Sequence, residues 1–287
     1  MHNHLSAILW VLASTFIWTV IFAAGKIAGG DIGVFQLTLA RYVGALAVVG
    51  VLVRAEGGVR AHRSTQPWRH LARAICGCGA AVAITWASAN MPLVDATAIG
   101  MLYGLFAVLL GGLVLNETIG ARQRVGILVC VAGVVLVMIN KGAFRSGVVI
   151  LPALAALLSA VLMAVEGMLI SVLGRGERAL GVMLHVTVFG CVLMLAPALM
   201  QGQSPSTASI LFGLALGPLA LLGQYCTIRG YRLAPLSVVA PIDYTWLFFS
   251  AVLSVMVFAE AVGLWTWVGC AVIVLGGALI ARQSTRD

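Results

Sequence analysis

Residues 92–133 read PLVDATAIGMLYGLFAVLLGGLVLNETIGARQRVGILVCVAG, and residues 235–276 read PLSVVAPIDYTWLFFSAVLSVMVFAEAVGLWTWVGCAVIVLG. At a constant offset of 143, Pro92 meets Pro235, Phe106 meets Phe249, Glu117 meets Glu260, Gly126 meets Gly269 and Gly133 meets Gly276. Coincidences held at one offset mark a tandem duplication, and a repeat of this length is to be sought before any shorter motif. Working outward from these stretches, the first copy is expected over 1–141 and the second over 146–287.

The solvent around both copies is lipid. Of 287 residues, 62% are hydrophobic and 9% are charged, and the mean hydropathy is +1.09. A water-soluble domain carries about 25% charged residues. A bilayer-spanning helix needs about 20 apolar residues. Ten segments qualify: Leu5–Ala28, Gly33–Arg54, Leu71–Ala89, Val94–Leu115, Gln123–Asn140, Gly147–Ser171, Leu180–Met200, Ala208–Ile228, Leu236–Phe258 and Val262–Ala281. They use nearly the whole chain and leave no space for a soluble catalytic domain. The first lacks a basic n-region and a small-residue cleavage site, so it is read as a retained span and not as a signal peptide.

The net charge of +8 does not form one nucleic-acid-binding patch. With a cytoplasmic N-terminus, thirteen basic residues fall on the inner side: Arg54, Arg60, Arg63, Arg69, Arg73, Arg122, Arg124, Arg175, Arg178, Arg229, Arg232, Arg282 and Arg286. Lys26, Lys141 and Arg145 fall outside, and Arg41 lies within a span. The positive-inside bias therefore predicts both termini in the cytoplasm. Five spans per copy is an odd number, so the second copy enters the membrane from the opposite face. The expected fold is an all-α polytopic membrane protein of ten transmembrane helices in two inverted five-helix repeats, in the bacterial inner (plasma) membrane. Inverted repeats of this kind are characteristic of secondary carriers, whose sites lie near the midplane between the halves.

The segment Trp86-Ala-Ser-Ala-Asn-Met-Pro-Leu-Val-Asp-Ala-Thr-Ala, followed by Leu115-Asn-Glu117 and Gly126…Gly133, resembles the end of an EamA domain. Ala234-Pro-Leu-Ser-Val-Val-Ala-Pro-Ile-Asp-Tyr244 with Phe258-Ala-Glu260 resembles the same signature in a second copy. Two such domains per chain are the mark of the drug/metabolite transporter superfamily, and the resemblance runs over essentially the full length. Within that superfamily, Arg41 and Trp68-Arg-His-Leu-Ala-Arg73 are similar to the subgroup of S-adenosylmethionine uptake transporters. The resemblance implies a carrier. It also implies that Glu117 and Glu260 cap or brace the next helix and do not touch substrate. Gly104 stands where family members often carry a proline.

Ionisable side chains inside spans are expensive and face the bundle interior. Arg41, Glu166, His185 and Asp243 are of this kind. Asp243 follows Pro241, which frees a carbonyl and kinks its helix, so Asp243 is expected to bind a substrate cation or a proton, or to pair with Arg41. Arg41 suits a substrate carboxylate. Glu166 and His185 are candidates for proton coupling; the structural alternatives are a pairing of Glu166 with Arg229–Arg232 and a neighbouring hydrogen bond for His185. Tyr103 and Trp246, which share a repeat position, are candidate cavity walls together with Tyr244 and Trp18. Pro92 and Pro235 are expected to open their helices, and Gly213 with Gly217 to mark a close helix contact.

Six cysteines all fall in spans; Cys76 and Cys78 point to opposite helix faces, so no metal site is expected. Neither a nucleotide-binding P-loop nor an H-E-x-x-H or G-x-S-x-G motif is present. The expected function is a secondary carrier of a small zwitterionic or cationic metabolite, such as an amino acid or S-adenosylmethionine. No cofactor is expected. Its partners are the solute, the bilayer and a coupling proton, as a monomer or homodimer. A membrane enzyme, or a channel without carrier activity, is the alternative.

Overall fold

A computed structural model describes residues 2–28, 30–106, 110, 121–140, 150–233, 245–260 and 263–281. Among the described residues there are ten α-helices: α1 (His2–Ile27), α2 (Val34–Ala55), α3 (Pro67–Asn90), α4 (Leu93–Gly100), α5 (Ala121–Asn140), α6 (Ile150–Gly176), α7 (Ala179–Met200), α8 (Thr207–Leu233), α9 (Thr245–Met256) and α10 (Leu264–Ala281). A short 3-10 turn, Val59–His62, precedes α3. No strand occurs among the described residues. Lipid offers no hydrogen bonds to a backbone, so an apolar chain that spans it becomes helix.

Among the described residues, six helices are long and apolar enough to cross a membrane; the apolar stretches Leu93–Phe106, Arg124–Gly133, Thr245–Met256 and Leu264–Gly276 are shorter. The outward faces of the helices are apolar. Val51, Leu128, Leu151, Leu158, Val192 and Leu199 are all exposed, as residues against acyl chains should be. The third span begins earlier than hydropathy suggests, because Pro67 occupies the first turn of α3. A proline is tolerated there since its missing N–H is not needed. Pro92 likewise precedes the first turn of α4.

The 143-residue offset reappears as geometry where α5 meets α10. A side chain added at Gly133 would meet Gly269 and Ile273, and one added at Gly276 would meet Gly126 and Cys130. The Cys130 thiol donates to the Ile273 carbonyl at 3.5 Å, a contact between two residues at the repeat offset. As α5 advances from 126 to 133, its partner on α10 retreats from 276 to 269. Repeat-equivalent helices thus cross antiparallel about a local pseudo-two-fold axis. The wider packing follows the same exchange. Helix α1 packs on α8 and α3 on α6; α2 packs on α8 and α3 on α7; α4 meets α9 and α2 meets α7.

The crossing of α2 and α8 shows why particular residues are small. Pro218 lies inside α8, and a proline leaves the carbonyl four residues earlier without its N–H partner, here Leu214. That carbonyl sits against Gly44 of α2, where a Cβ would overlap it. One turn on, Gly217 faces the Arg41 carbonyl and the Ala45 amide, and Gly213 rests on Ala40. The sequence expectation of close contact at Gly213 and Gly217 thus meets its partner surface on α2. Gly44→Ala is expected to lower stability by about 1–3 kcal/mol through overpacking. Gly50→Ala, on the same helix with open space around it, should raise stability by up to about 1 kcal/mol. Thermal unfolding of the two variants in detergent measures the difference.

Candidate functional site

The interior of the bundle holds a cavity of ≈ 200 Å³ between the two halves, lined by α1, α2, α3, α6, α7, α8 and α9 together with Met101 and Tyr103. Its walls divide by chemistry. Trp18 and Phe22, one turn apart on α1, stack at 5.5 Å with 21° between their planes. Phe22 then meets Trp246 of α9 at 5.4 Å, tilted by 43°. Tyr103 lines the same space. This gives an aromatic wall built from both repeats.

Other lining residues are polar. Arg41 is 6% exposed and lies 5.1 Å from the ring of Tyr42. No ion pair of Arg41 occurs among the described residues. The α2–α8 crossing at Gly44 and Gly217 brings its backbone inward, and Gly190 of α7 supplies the flat seat against which the Tyr42 ring lies. The Cys78 thiol donates to the Tyr42 hydroxyl at 3.3 Å. Glu166 enters from α6 above Gly77, where a Cβ would press on the carboxylate at 2.9 Å. Its partner is Arg73 of α3, Nε to Oε1 3.5 Å. Arg73 is fully buried, so the carboxylate that compensates it is fixed in place by the cost of an unpaired internal charge.

Hydroxyls complete the lining. Ser14 and Thr227 share a hydrogen bond of 2.6 Å, Thr15 donates to the Leu12 carbonyl at 3.0 Å, and Thr187 donates to the Met183 carbonyl at 2.8 Å. Such back-bonding satisfies the donors inside lipid-embedded helices and leaves the hydroxyl oxygens as acceptors. Gln224 adds an amide to this wall. Trp246 is 5% exposed, and its Nε1–H has no hydrogen-bond partner among the described residues.

Two clusters flank the cavity without lining it. At the end carrying the 3-10 turn, His185 Nδ1 is 2.7 Å from the Gly181 carbonyl, and its ring stacks on that of His70 at 4.5 Å. His70 Nε2 is 2.8 Å from Glu177. The Ser64 hydroxyl also reaches Glu177, and Arg232 donates to the Glu177 carbonyl at 2.9 Å. At the opposite end Glu260 pairs with Lys26 and accepts from the Ser254 hydroxyl at 2.8 Å and the Leu93 amide at 3.3 Å. Glu260 therefore caps α4 from the other repeat. Nearby, Asp31 receives the Ser209 and Ser206 hydroxyls and the Ser206 amide. Those bonds, Ser209 first, hold its carboxyl below the ordinary range.

Of the residues singled out from the sequence, Trp18, Arg41, Tyr103, Glu166 and Trp246 meet at this cavity. His185 stands outside it, in the histidine stack. Asp243, Tyr244, Glu117, Pro235 and Pro241 lie outside the described residues. The structural alternative for Glu166 is corrected: its partner is Arg73, not the Arg229–Arg232 segment. Arg73, grouped with the basic loop although it falls near the start of the expected Leu71–Ala89 span, sits well inside α3 and is buried. Sequence reading also passed over Phe22, Tyr42 and Asp95. Asp95 is 1% exposed within α4, with Thr266 Oγ1 3.5 Å from its carboxylate. The repeat held one usable signal, since Tyr42 is the offset partner of His185.

A helical bundle with lipid-facing apolar surfaces and a solute-sized internal cavity between its halves defines a multi-pass membrane transporter. The chain belongs to the EamA-like transporter family, whose profile matches residues 5–139 and again 150–282. It is 26% identical over 289 residues to a riboflavin transporter of Vibrio cholerae serotype O1, covering 99% of this chain and 96% of that protein. It is 25% identical over 230 residues to a riboflavin transporter of Rhizobium johnstonii, covering 80% and 75% of the two chains. A solved crystal structure shares the fold with a TM-score of 0.71 at 22% identity, covering 98% of this chain and 99% of that one. Both named relatives carry riboflavin in their names. The amino-acid and S-adenosylmethionine expectation finds no support in them.

Removing one partner of the buried pair separates its structural weight from any role in transport. Arg73→Met is expected to cost roughly 3 kcal/mol, the lower end for a broken buried pair because Glu166 keeps contact with the cavity. Arg73→Met combined with Glu166→Leu should recover most of that loss, as read from unfolding midpoints in detergent.

Proposed function

We propose that this transporter carries a flat heteroaromatic metabolite of the flavin class across the bacterial inner membrane by alternating access. The observation that carries the reading is that the Trp18–Phe22–Trp246 row and a buried Arg41 line one cavity. Aromatic faces hold a flat ring by stacking. The guanidinium and the hydroxyl-lined wall suit the acceptors and hydroxyls of a polar tail. The names of the two riboflavin-transporting relatives support the same class.

The architecture proposed for this activity is ten spans in two inverted five-helix repeats, 1–141 and 146–287, with both termini cytoplasmic. The antiparallel crossing of α5 and α10 and the twofold family match support it. Asp243 and Tyr244 remain proposed substrate contacts on the strength of the sequence. Glu166 is the proposed site of a coupling proton, since its carboxylate faces both the solute space and Arg73. Under that scheme a solute and a proton compete for one carboxylate. His185 is assigned a secondary part, because its ring nitrogen is already engaged by Gly181.

A zwitterion, with its carboxylate on Arg41 and its ammonium on Glu166, is the competing occupant, and the pairing of Glu166 with Arg73 weighs against it. Counterflow of labelled riboflavin, S-adenosylmethionine and a neutral amino acid in proteoliposomes decides between them. Saturable riboflavin exchange is expected, with Arg41→Met raising the half-saturating concentration about tenfold or more, the loss of one hydrogen bond to a charged group. Exchange of either zwitterion without riboflavin would refute the flavin reading. In the Glu166→Leu/Arg73→Met protein, exchange is expected to persist while accumulation driven by a pH gradient is lost; gradient-driven accumulation that survives would remove Glu166 from the coupling scheme.

A further inference from the structure

We propose that the segment joining α2 to α3, residues 54–69, is a binding site for the headgroups of anionic phospholipids. The site lies on the surface of the bundle and is independent of which solute the cavity takes.

Charge is concentrated in this segment. Arg54, Arg60, Arg63 and Arg69 stand against one acid, Glu56. All four arginines are exposed, and none forms an ion pair among the described residues. Two further exposed arginines border it. Arg178 follows Glu177, whose carboxylate receives the Ser64 hydroxyl, and Arg232 donates to the Glu177 carbonyl. At the opposite end of the bundle Lys26 is held by Glu260, and Asp31 adds a second acid. The two ends therefore differ sharply in charge.

The segment is also held in one shape. Gly57 and Gly58 take φ of 98° and 80°, values that glycine adopts without strain. They turn the chain back, so that the Gly58 amide donates to the Val53 carbonyl at 2.8 Å. His62 is then buried, with its backbone set over Gly181 of α7. Ser64, besides reaching Glu177, accepts from the Gln66 amide at 2.9 Å. A surface already fixed in shape binds without a further ordering cost.

Position selects the partner. Arg54 lies in the last turn of α2, and Trp68 and Arg69 lie in the first turn of α3. Both helices are long and apolar enough to cross a membrane, so these ends lie at the level of the lipid headgroups. Val59 is 64% exposed and Trp68 73%, and an indole at a span end anchors in the interface. Exposed apolar groups among arginines suit a surface with phosphates above and acyl chains below. A nucleic acid would leave them unused. The guanidinium fork matches phosphate oxygens, and each basic residue near an acidic bilayer is worth about fivefold in binding.

The test titrates the detergent-solubilised protein with chain-brominated phosphatidylglycerol or phosphatidylcholine. It reads quenching of Trp68, taken as the difference from the matching Trp68→Phe protein. Half-quenching is expected at a lower mole fraction of phosphatidylglycerol than of phosphatidylcholine. Arg63→Gln should reduce that preference about fivefold. Arg54→Gln, Arg60→Gln, Arg63→Gln and Arg69→Gln combined should abolish it, with the unfolding midpoint in plain detergent unchanged. High salt should abolish it in the wild-type protein too, by screening exposed charges, and this arm needs no substitution. Equal half-quenching by the two lipids in wild type overturns the proposal, as does a preference that survives the four substitutions or high salt. Release of phosphatidylglycerol by excess inorganic phosphate or by an RNA oligonucleotide also overturns it, by showing a site for a soluble anion.

Discussion

In lipid, every polar group must be satisfied by the protein itself, and the rest of this structure follows from how that is done. The Leu214 carbonyl, released by Pro218, is received against the bare Cα of Gly44. Arg73 is received by Glu166, and Glu166 in turn fits only because Gly77 has no side chain. Ser14, Thr15, Thr187 and Thr227 turn their hydroxyls onto helix carbonyls or onto each other. Against this background the Arg41 guanidinium, which borders the cavity with no ion pair among the described residues, stands out. In such a solvent a charge of that kind beside a cavity points to a ligand.

The two halves share the labour through their symmetry. Exchange pairing of α1 with α8 and α3 with α6 builds the cavity walls, while the Gly133–Gly269 and Gly126–Gly276 contacts of α5 with α10 join the periphery. Each end of the bundle is tied across the halves by acidic residues, Asp31 with Ser206 and Ser209 among them. Glu260 gathers Lys26, Ser254 and the first turn of α4 at one end; Glu177 gathers Ser64 and His70 at the other. These ties are polar and local, so each can be broken without dismantling the apolar packing between them. A carrier that opens to one face at a time needs ends of this kind.

Much of this was legible in the sequence, for physical reasons that differ by residue. Lipid-facing runs of apolar residues are long and unambiguous, so α1, α2, α3, α6, α7 and α8 were readable directly. The repeat offset selected Tyr103 and Trp246 as a pair, and both line the cavity. Hydropathy does not distinguish an aromatic ring facing lipid from one facing a cavity, and Phe22 and Tyr42 were missed for that reason. Arg73 was missed because arginines near a span end are usually solvated; the turn supplied by Pro67 carries it inward instead. Asp95 was read as part of a signature and not as a buried carboxylate, since its neighbours Val94 and Ala96 give no sign of its contact with Thr266 on a distant helix.

The central claim is that the cavity between the halves is reached from each side of the membrane in turn and is filled by the transported ring. Ala220 lines that cavity from α8. Placing a single cysteine there, Ala220→Cys in a cysteine-free background, allows labelling with a membrane-impermeant maleimide in right-side-out and inside-out vesicles, with and without riboflavin. The account predicts labelling from both faces and protection by riboflavin at both. Labelling from one face only, indifferent to riboflavin, would contradict it.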